Sequence, residues 1–344
     1  MLRRPGGAGR HLARGAGLLV SLALTLLGLL LVTFLIGRVV PIDPVLAAVG
    51  DRASADTYAR VRQELGLDLP LWQQFLRYVG DVLRGDLGHS VLTARPVLED
   101  VARVFPATLE LATAAVTLGV LVGVPAGVAA AVHRGRWPDH LIRVLGLVGH
   151  SIPVFWLGLM ALLVFYARLD LVPGPGRVDV FYEGLVDPVT GVITVDALLA
   201  GEAGVFWNAL GHLVLPASIL GFYSVAYIAR MTRSFMLDQL RQEYITTARV
   251  KGLSEARVVW RHALGNIAVP LTTVVALSYA TLLEGSVLTE TVFAWPGLGL
   301  YITNSLLSAD MNAVLGGTLV VGAVFIALNL LSDLLYRLLD PRAR

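Results

Sequence analysis

The fold is decided by the stretch RQEYITTARVKGLSEARVVWRHALGNIAVP, which runs from Arg241 to Pro270. It is a polar, arginine-rich segment between two long apolar runs. Its spacing predicts two short helices with a break at Lys251-Gly252, because glycine adopts backbone conformations that are closed to other residues. Inside a membrane protein such a segment is either a docking surface or an ordinary amphipathic cytoplasmic loop, and the spacing alone leaves both interpretations open.

Apolar and small residues recur at three- and four-residue spacing in both halves of this stretch and predict one packed face in each. The predicted faces are Met236, Leu240, Tyr244 and Thr247 before the break, and Leu253, Ala256, Trp260 and Ala263 after it. Ser254 is the expected N-cap of the second helix, and Glu255 falls in its first turn, where a negative charge is favourable.

The stretch resembles the EAA loop of ABC-importer membrane subunits, in the form found in the dipeptide/oligopeptide (and nickel) permease family. The matching residues are Tyr244, Thr247, Ala248, Lys251, Gly252, Leu253, Ser254, Val258, His262, Ala263, Leu264, Asn266 and Pro270. The resemblance implies a pair of coupling helices that sits in a groove of a cytoplasmic ATPase. Two positions depart from the family pattern: Thr246 replaces the acidic residue of the general motif, and Gly265 replaces a frequent arginine.

Composition places the chain in a membrane. Of its 344 residues 56% are hydrophobic and 15% charged, with a mean hydropathy of +0.72, whereas soluble domains carry about 25% charged residues. There is no cysteine, which excludes disulfides, thiolate catalysis and cysteine-ligated metals. The only lysine, Lys251, precedes Gly252, whereas a phosphate-binding P-loop needs Lys before Ser or Thr. We therefore expect no cofactor, metal or catalytic residue in this chain, and expect ATP and Mg to be bound by partner subunits.

Six windows free of Asp, Glu, Lys and Arg are long enough to cross a bilayer, which takes about 20 apolar residues. The predicted spans are Gly15–Gly37, Leu111–His133, Val144–Ala167, Ala203–Ala229, His262–Leu283 and Met311–Ser332. A seventh uncharged window, Thr291–Ala309, contains Pro296, Gly297 and Gly299 and would move the C-terminus to the wrong side. We interpret it as a loop, partly re-entrant, that must be buried in protein or face water.

Orientation follows from the basic residues that flank the spans. Four arginines, including Arg3 and Arg4, precede span 1; three basic residues separate spans 2 and 3, seven separate spans 4 and 5, and three follow span 6. The alternate short loops, between spans 3 and 4 and between spans 5 and 6, hold two and none. This asymmetry predicts that both termini and the 241–270 stretch are cytoplasmic, and the resemblance implies a bacterial or archaeal cell (inner) membrane. The apolar run at the N-terminus is too long for a signal peptide and predicts an uncleaved first span.

The predicted organisation is a cytoplasmic N-terminus at 1–14, a first transmembrane helix at 15–40, an external segment at 41–105, and a core permease domain at 106–344. The core holds five spans and the coupling loop at 231–266. In the external segment, Pro41–Phe105, helical spacing predicts helices over Thr57–Leu65 and Leu71–Arg84. Its role is open between contact with a binding protein and packing on its own spans. Further matches to the family are ELGLDLPLWQQFLRYVGDVLRGDLGHSV, FPATLELA, ETVFAWPGLG and LSDLLYRLLDPRAR, the last with Asp340-Pro341-Arg342.

Three residues are candidates for lining a pathway: Ser151 and Pro153, in a run that resembles the family's S-x-P-x-F-W-x-G, and Glu284, an acid near the membrane. For Pro153 a packing kink is the alternative, and for Glu284 a position just above the hydrocarbon. Glu110 is interpreted as a solvated interfacial carboxylate. Solvated loop charge is likewise expected for the acids of the second external loop, which are Asp170, Asp179, Glu183, Asp187, Asp196 and Glu202.

Together these features predict an all-α integral membrane protein with six transmembrane helices, and the resemblance implies the type I ABC importer permease fold. The implied function is half of an ATP-driven translocation pathway for short peptides, with nickel, glutathione or another small solute as alternatives. The implied partners are a second homologous permease, two cytoplasmic ABC ATPases, an external substrate-binding protein and the lipid bilayer, with no nucleic acid. An ion-coupled secondary transporter is the other class considered, and it would need ionisable residues in several spans. A membrane enzyme is disfavoured because no HExxH motif, nucleophile–base pair or phosphate loop is found.

Overall fold

The computed structural model describes residues 7–39, 44–50, 53–64 and 66–339, and these residues are almost entirely helical. Predictions that fell on Arg3, Arg4, Pro41, Leu65 and Asp340-Pro341-Arg342 lie outside the described residues. The helices are α1 (Gly7–Val39), α2 (Pro44–Val49), α3 (Ala55–Glu64), α4 (Leu71–Leu83), α5 (Val97–Val132), α6 (Trp137–Ser151), α7 (Val154–Ala161), α8 (Ile193–Ala200), α9 (Ala203–Leu240), α10 (Glu243–Val250), α11 (Glu255–Arg257), α12 (Leu264–Val292), α13 (Leu298–Leu307) and α14 (Met311–Leu339). Two π-helical segments extend this set, Leu162–Arg168 after α7 and Val258–Ala263 between α11 and α12.

The predicted fold class is confirmed. Within the described part of the chain, five helices are long and apolar enough to cross a membrane: α1, α5, α9, α12 and α14. The third predicted span differs, since α6 and α7 with its π-helical extension are bent by 101° at Ile152-Pro153. Counted as one broken span, the bent pair brings the number of spans in the described part of the chain to six. Ile152, the residue before Pro153, has extended backbone, as proline favours in the residue before it, and the helix breaks there. Helices α5, α9 and α12 instead continue through their internal prolines.

The seventh uncharged window is not a span, as predicted, but it is more ordered than a loop. Helix α12 ends at Val292, a turn follows, and α13 occupies Leu298–Leu307. The external helices predicted over Thr57–Leu65 and Leu71–Arg84 are present as α3 and α4.

The described residues divide into two compact units, one within Met1–Val101 and Ile302–Ile326 and one within Ala102–Tyr301 and Ala327–Arg344. In the first unit Phe34 of α1 packs against the rings of Phe75 and Tyr78 of α4, with ring centroids 5.4 and 5.9 Å apart. One of its buried acids, Asp310, accepts hydrogen bonds from the Ser90 hydroxyl at 2.6 Å and from the backbone N–H of Leu92 at 3.3 Å.

The second unit is organised around a close crossing of α5 and α9. Gly119, Gly123 and Gly127 follow one another at four-residue spacing on α5 and face α9. A Cβ built on Gly127 would lie 2.5 Å from the carbonyl oxygen of Ala229, so only glycine fits there. Small residues at such spacing let helix backbones approach closely in membranes, where van der Waals packing drives helix association.

Substituting Gly127 with alanine should therefore destabilise the chain. The added methyl group overpacks the crossing, and we expect the free energy of unfolding to fall by about 1–3 kcal/mol. Gly146 of α6 is the matched control, because a Cβ there meets nothing within 4 Å and alanine is the better helix former. Equilibrium unfolding of the detergent-solubilised G127A and G146A variants measures both changes. Equal stability of the two variants would contradict the close crossing.

Candidate functional site

The break predicted at Lys251-Gly252 is a C-terminal helix cap in which Gly252 has left-handed backbone. Gly252 has φ +76°, the N–H of Gly252 donates to the Arg249 carbonyl at 2.9 Å, and the N–H of Leu253 donates to the Ala248 carbonyl at 3.3 Å. These two bonds form a Schellman motif, which satisfies the last carbonyls of α10 and reverses the chain. Ser254 takes the N-cap position of α11 with extended backbone, but its side chain makes no capping hydrogen bond.

The inner side of this loop belongs to a buried apolar cluster, called here the loop cluster. Its members come from α5, α9, α10, the π-helical segment and the start of α12. They are Val128, Ala131, Met236, Ile245, Ala248, Val258, Val259, Ala263 and Ile267, with Tyr244, Leu253 and Leu264 packed at the edge. The loop is thus attached to three spans at once by non-directional apolar burial.

The predicted packed faces are correct in part. Met236 and Ala263 are buried, and Leu240, Tyr244 and Leu253 are partly buried. The prediction is wrong for Thr247, Ala256 and Trp260, because all three are exposed. Ile245, Ala248 and Val258 are buried instead. In the first half the helix is interrupted between Leu240 and Glu243, so the helical register does not continue from α9 into α10.

The outer side of the loop is exposed and combines apolar and charged groups. The exposed fraction is 83% for Val250 and 49% for Trp260, and Lys251 is exposed beside them. Arg249 donates to both carboxylate oxygens of Glu255, at 3.0 and 2.5 Å, and this pair ties α10 to α11. The hydrogen bond that Arg249 donates to Glu255 raises the pKa of Arg249 above its ordinary value, so the pair stays charged at neutral pH.

The other loop residues of the sequence prediction occupy mixed positions. Tyr244 donates its hydroxyl to Gln239 at 2.8 Å, and Thr247 donates to the backbone carbonyl of Glu243 at 3.0 Å. His262 and Pro270 are half-buried, and Asn266 is exposed. The structure therefore brings the predicted loop residues together as one element, with some of them packed inward and the others presented to solvent.

The three predicted pathway residues are not joined to one another by any hydrogen bond or ion pair among the described residues. Ser151 is exposed and donates to the Leu147 carbonyl of its own helix at 2.8 Å. Pro153 lies at the break between α6 and α7. Glu284 is exposed on α12.

The prediction for Glu110 is wrong, because its carboxylate is buried and fully engaged. It accepts from Arg177 at 2.9 and 2.5 Å, and from the N–H and hydroxyl of Thr194 at 3.0 and 2.6 Å. Asp196 also departs from the expected solvated charge, since it is buried and accepts from Thr190 and Gly191. The remaining five acids of that loop are exposed as predicted.

A cavity of about 610 Å³ lies beside Glu110, between α5, α8 and α9. The polar groups at its wall are already engaged: Thr113 bonds the Tyr279 hydroxyl at 3.0 Å, Thr117 donates to the Thr113 carbonyl, and Ser218 donates to the Val214 carbonyl. The cavity therefore presents mainly apolar surface.

Sequence analysis missed a buried polar network at the Val292 end of α12. Glu290, 0% exposed, accepts from the Thr108 hydroxyl at 2.8 Å, the Ser286 hydroxyl at 2.9 Å, and the N–H groups of Gly299 and Leu300 at 2.7 and 3.1 Å. The last two bonds place a carboxylate at the N-terminus of α13, where negative charge is favoured. The available signal was the ETVFAWPGLG run itself, which combines an acid with two glycines inside an apolar segment.

Two contacts close this network. A Cβ on Gly297 would lie 2.5 Å from the Glu290 carboxyl carbon, so glycine is required beside the acid. The indole N–H of the buried Trp295 donates to the Ala107 carbonyl at 2.8 Å, and the guanidinium of Arg177 lies 5.8 Å from the Trp295 ring centroid.

Five long apolar helices, a sixth broken span and an amphipathic loop packed under three of them define a multi-pass membrane protein. Family comparison agrees with this architecture. Residues 123–344 match the model described as "Binding-protein-dependent transport system inner membrane component", and residues 12–112 match the model of the N-terminal part of such membrane components. The chain belongs to this family of binding-protein-dependent transport permeases.

Curated relatives match almost the whole chain. The probable D,D-dipeptide transport system permease protein DdpB of Escherichia coli K12 is 48% identical over 94% of both chains. The di/tripeptide transport system permease protein DppB of Pseudomonas aeruginosa UCBPP-PA14 is 44% identical over 97% of this chain and 98% of its own. The dipeptide transport system permease protein DppB of E. coli K12 is 43% identical over the same shares.

Among solved structures, a chain of the MetNI methionine ABC transporter in an inward-facing conformation matches with a TM-score of 0.50 and 18% identity. The match covers 68% of this chain and 93% of that one. At this identity the likeness concerns the fold, which is that of an ABC transporter membrane subunit.

Replacing Thr108 with valine should destabilise the buried network. The hydroxyl donates to Glu290 and also accepts from the N–H of Leu298 at 2.8 Å, so valine leaves two buried groups short of a partner, at a cost of about 1–3 kcal/mol. Thr117 on the same helix is exposed and bonds only within its own turn, so T117V is the control, with an expected change within about 0.5 kcal/mol. Equilibrium unfolding in detergent compares the two, and a loss no larger in T108V than in T117V would argue against the network.

Proposed function

We propose that this chain is one permease subunit of an ATP-driven importer and forms half of the translocation pathway for short peptides. The observation that carries the proposal is the loop at 241–266, which is buried on one side in the loop cluster and exposed on the other. Such an element transmits a force applied from outside to the spans on which it packs. The relatives named above are permeases of dipeptide, D,D-dipeptide or di/tripeptide systems, which favours a short peptide over nickel, glutathione or another small solute.

The proposed complex contains a second homologous permease, two cytoplasmic ABC ATPases and an external substrate-binding protein. ATP and Mg belong to the ATPases in this assignment, because the single lysine of this chain is not part of a P-loop. The excess of basic residues in alternate loops supports cytoplasmic termini and a cytoplasmic loop at 241–266.

The exposed side of the loop suits docking on an ATPase. Protein interfaces concentrate their binding energy in a few aromatic, apolar and arginine side chains surrounded by polar groups. Val250 and Trp260 supply exposed apolar area, and Lys251 and the Arg249–Glu255 pair supply charged groups near them. ATP-driven closure of the ATPases would then displace α10 and α11, and through the loop cluster it would displace the ends of α5, α9 and α12.

Changing Val250 to aspartate or Trp260 to alanine should weaken ATPase binding without unfolding the chain. Val250 is largely exposed and Trp260 about half exposed, so stability is expected to change by less than about 0.5 kcal/mol for V250D and by less than about 1 kcal/mol for W260A. Loss of an interface anchor, in contrast, lowers affinity about tenfold or more.

The measurement is ATPase recovery from detergent-solubilised membranes by a tag on this chain, together with thermal stability. Trp207, which is 67% exposed and predicted to lie on the opposite side of the membrane, provides the matched control W207A. Full ATPase recovery with V250D and W260A, or peptide uptake by a chain that purifies alone, would refute the docking assignment.

Changing Gly252 to valine should abolish peptide uptake while the chain stays in the membrane. The left-handed backbone at Gly252 costs a β-branched residue about 1–3 kcal/mol locally, although a Cβ there has open space. Strain would therefore act on the turn and not on packing. Gly265 has equally open space and ordinary helical backbone, so G265A is the control. The measurement is uptake of a radiolabelled dipeptide at matched membrane levels of each variant, and wild-type uptake by G252V would count against coupling through this turn.

A further inference from the structure

One face of α12 is exposed along the whole helix and carries polar side chains at five of its eight positions. Its positions recur at three- and four-residue spacing and share one side of the helix. They are Asn266, Pro270, Thr273, Leu277, Thr281, Glu284, Leu288 and Thr291, called here the α12 stripe, and each is exposed or half-exposed. The rest of the α12 surface is largely buried and mainly apolar, with Ile267, Leu271, Val274 and Leu282 among the buried residues.

Part of the α12 stripe must cross the hydrocarbon. From Asn266 to Thr291 it extends about 37 Å at 1.5 Å per residue, and the hydrocarbon core is about 30 Å thick. Threonines are tolerated in lipid because they bond their own helix, as the Thr281 hydroxyl does to the Leu277 carbonyl at 3.0 Å. A carboxylate only accepts hydrogen bonds and cannot bond a backbone carbonyl, so Glu284 needs water or a donor group against it wherever it lies along the stripe.

Among the described residues no hydrogen bond or ion pair reaches the Glu284 carboxylate. This separates it from Glu110 and Glu290, two buried acids of the same unit, each of which is held by fixed donors. Gly285 follows directly, and a Cβ built there would meet nothing within 4 Å. An unpaired carboxylate with open space beside it, on a polar face of a membrane helix, needs water or a cation against it.

We propose that the α12 stripe is the wall that this chain contributes to the translocation pathway, and that Glu284 binds the protonated amino group of the peptide as it passes. This inference rests on the proposed function and assigns to it the residue that selects a cationic group. A short peptide carries one such amino group whatever its side chains, so a single carboxylate recognises the whole substrate class by charge. Since no strong fixed donor holds Glu284, it releases the amino group without a competing rearrangement.

The absence of cysteine from this chain makes the test direct. Single cysteines at Thr281, Glu284 and Leu288 are compared with a single cysteine at Leu27 of α1. Each variant is assembled into the transporter in proteoliposomes, and labelling is measured on this chain. Leu27 and Leu288 are similarly exposed in the chain, at 49% and 54%, but Leu27 lies among exposed apolar residues of α1. A charged, water-soluble methanethiosulfonate should label the three stripe positions and leave L27C unlabelled. A dipeptide delivered by the binding protein should slow labelling at the stripe.

Charge recognition is tested at L288C, one turn from Glu284. The ratio of labelling rates for a cationic over an anionic reagent should fall about tenfold when E284Q is added, because the carboxylate concentrates cations locally. Glu202→Gln, an exposed acid in the external loop, should leave the ratio unchanged. Stripe positions as unreactive as L27C, labelling indifferent to peptide, or a ratio unaffected by E284Q would each overturn the inference. The proposed function is tested separately, by measuring ATP hydrolysis of the assembly that contains no introduced cysteine. If hydrolysis does not respond to the peptide-loaded binding protein, the proposed function fails.

Discussion

Hydrocarbon offers no hydrogen bonds, and this one constraint explains how the second unit is built. Every polar group that enters the membrane must find its partner inside the protein. Glu290 meets the requirement with four donors, and two of them are backbone N–H groups at the start of α13. A carboxylate near the end of α12 therefore accepts hydrogen bonds from the first N–H groups of α13. The glycines at 297 and 299 follow from it, because a side chain at either position would collide with residues of this network.

Helix α5 carries this constraint from one end of the unit to the other. In its first half, Thr108 donates a hydrogen bond to Glu290. Further along, the glycines from Gly119 to Gly127 allow the backbone of α9 to approach closely. At its end, Val128 and Ala131 pack in the loop cluster. A single helix thus contacts the polar network, the closest helix crossing and the proposed docking loop. Tightly packed interiors are nearly incompressible, so a displacement of the loop is expected to reach the far end of α5 as a shift of the whole helix.

What the sequence predicts well is local. The spans follow from the apolar runs, and the turn at Gly252 follows from one residue's backbone freedom. The errors arise where helical periodicity is interrupted or where partners are distant in sequence. A periodic pattern predicts buried positions for Thr247 and Trp260, because it does not show the break after Leu240 or the π-helical register at Val258–Ala263. Glu110 appeared solvated because its partners, Arg177 and Thr194, lie 67 and 84 residues away. The glycine spacing on α5 was visible, but the helix it faces was not.

Coupling requires that the pathway have different affinities for its substrate in two states, since a ligand shifts an equilibrium only by its differential binding. Helix α12 meets the geometric condition for this. Its first turn, at Leu264 and Ile267, belongs to the loop cluster, and its exposed stripe carries Glu284 five turns further on. A rotation or tilt imposed at the cluster would change what the Glu284 carboxylate faces. The free energy of ATP use would then be converted into release of a cationic group by reorienting one charge.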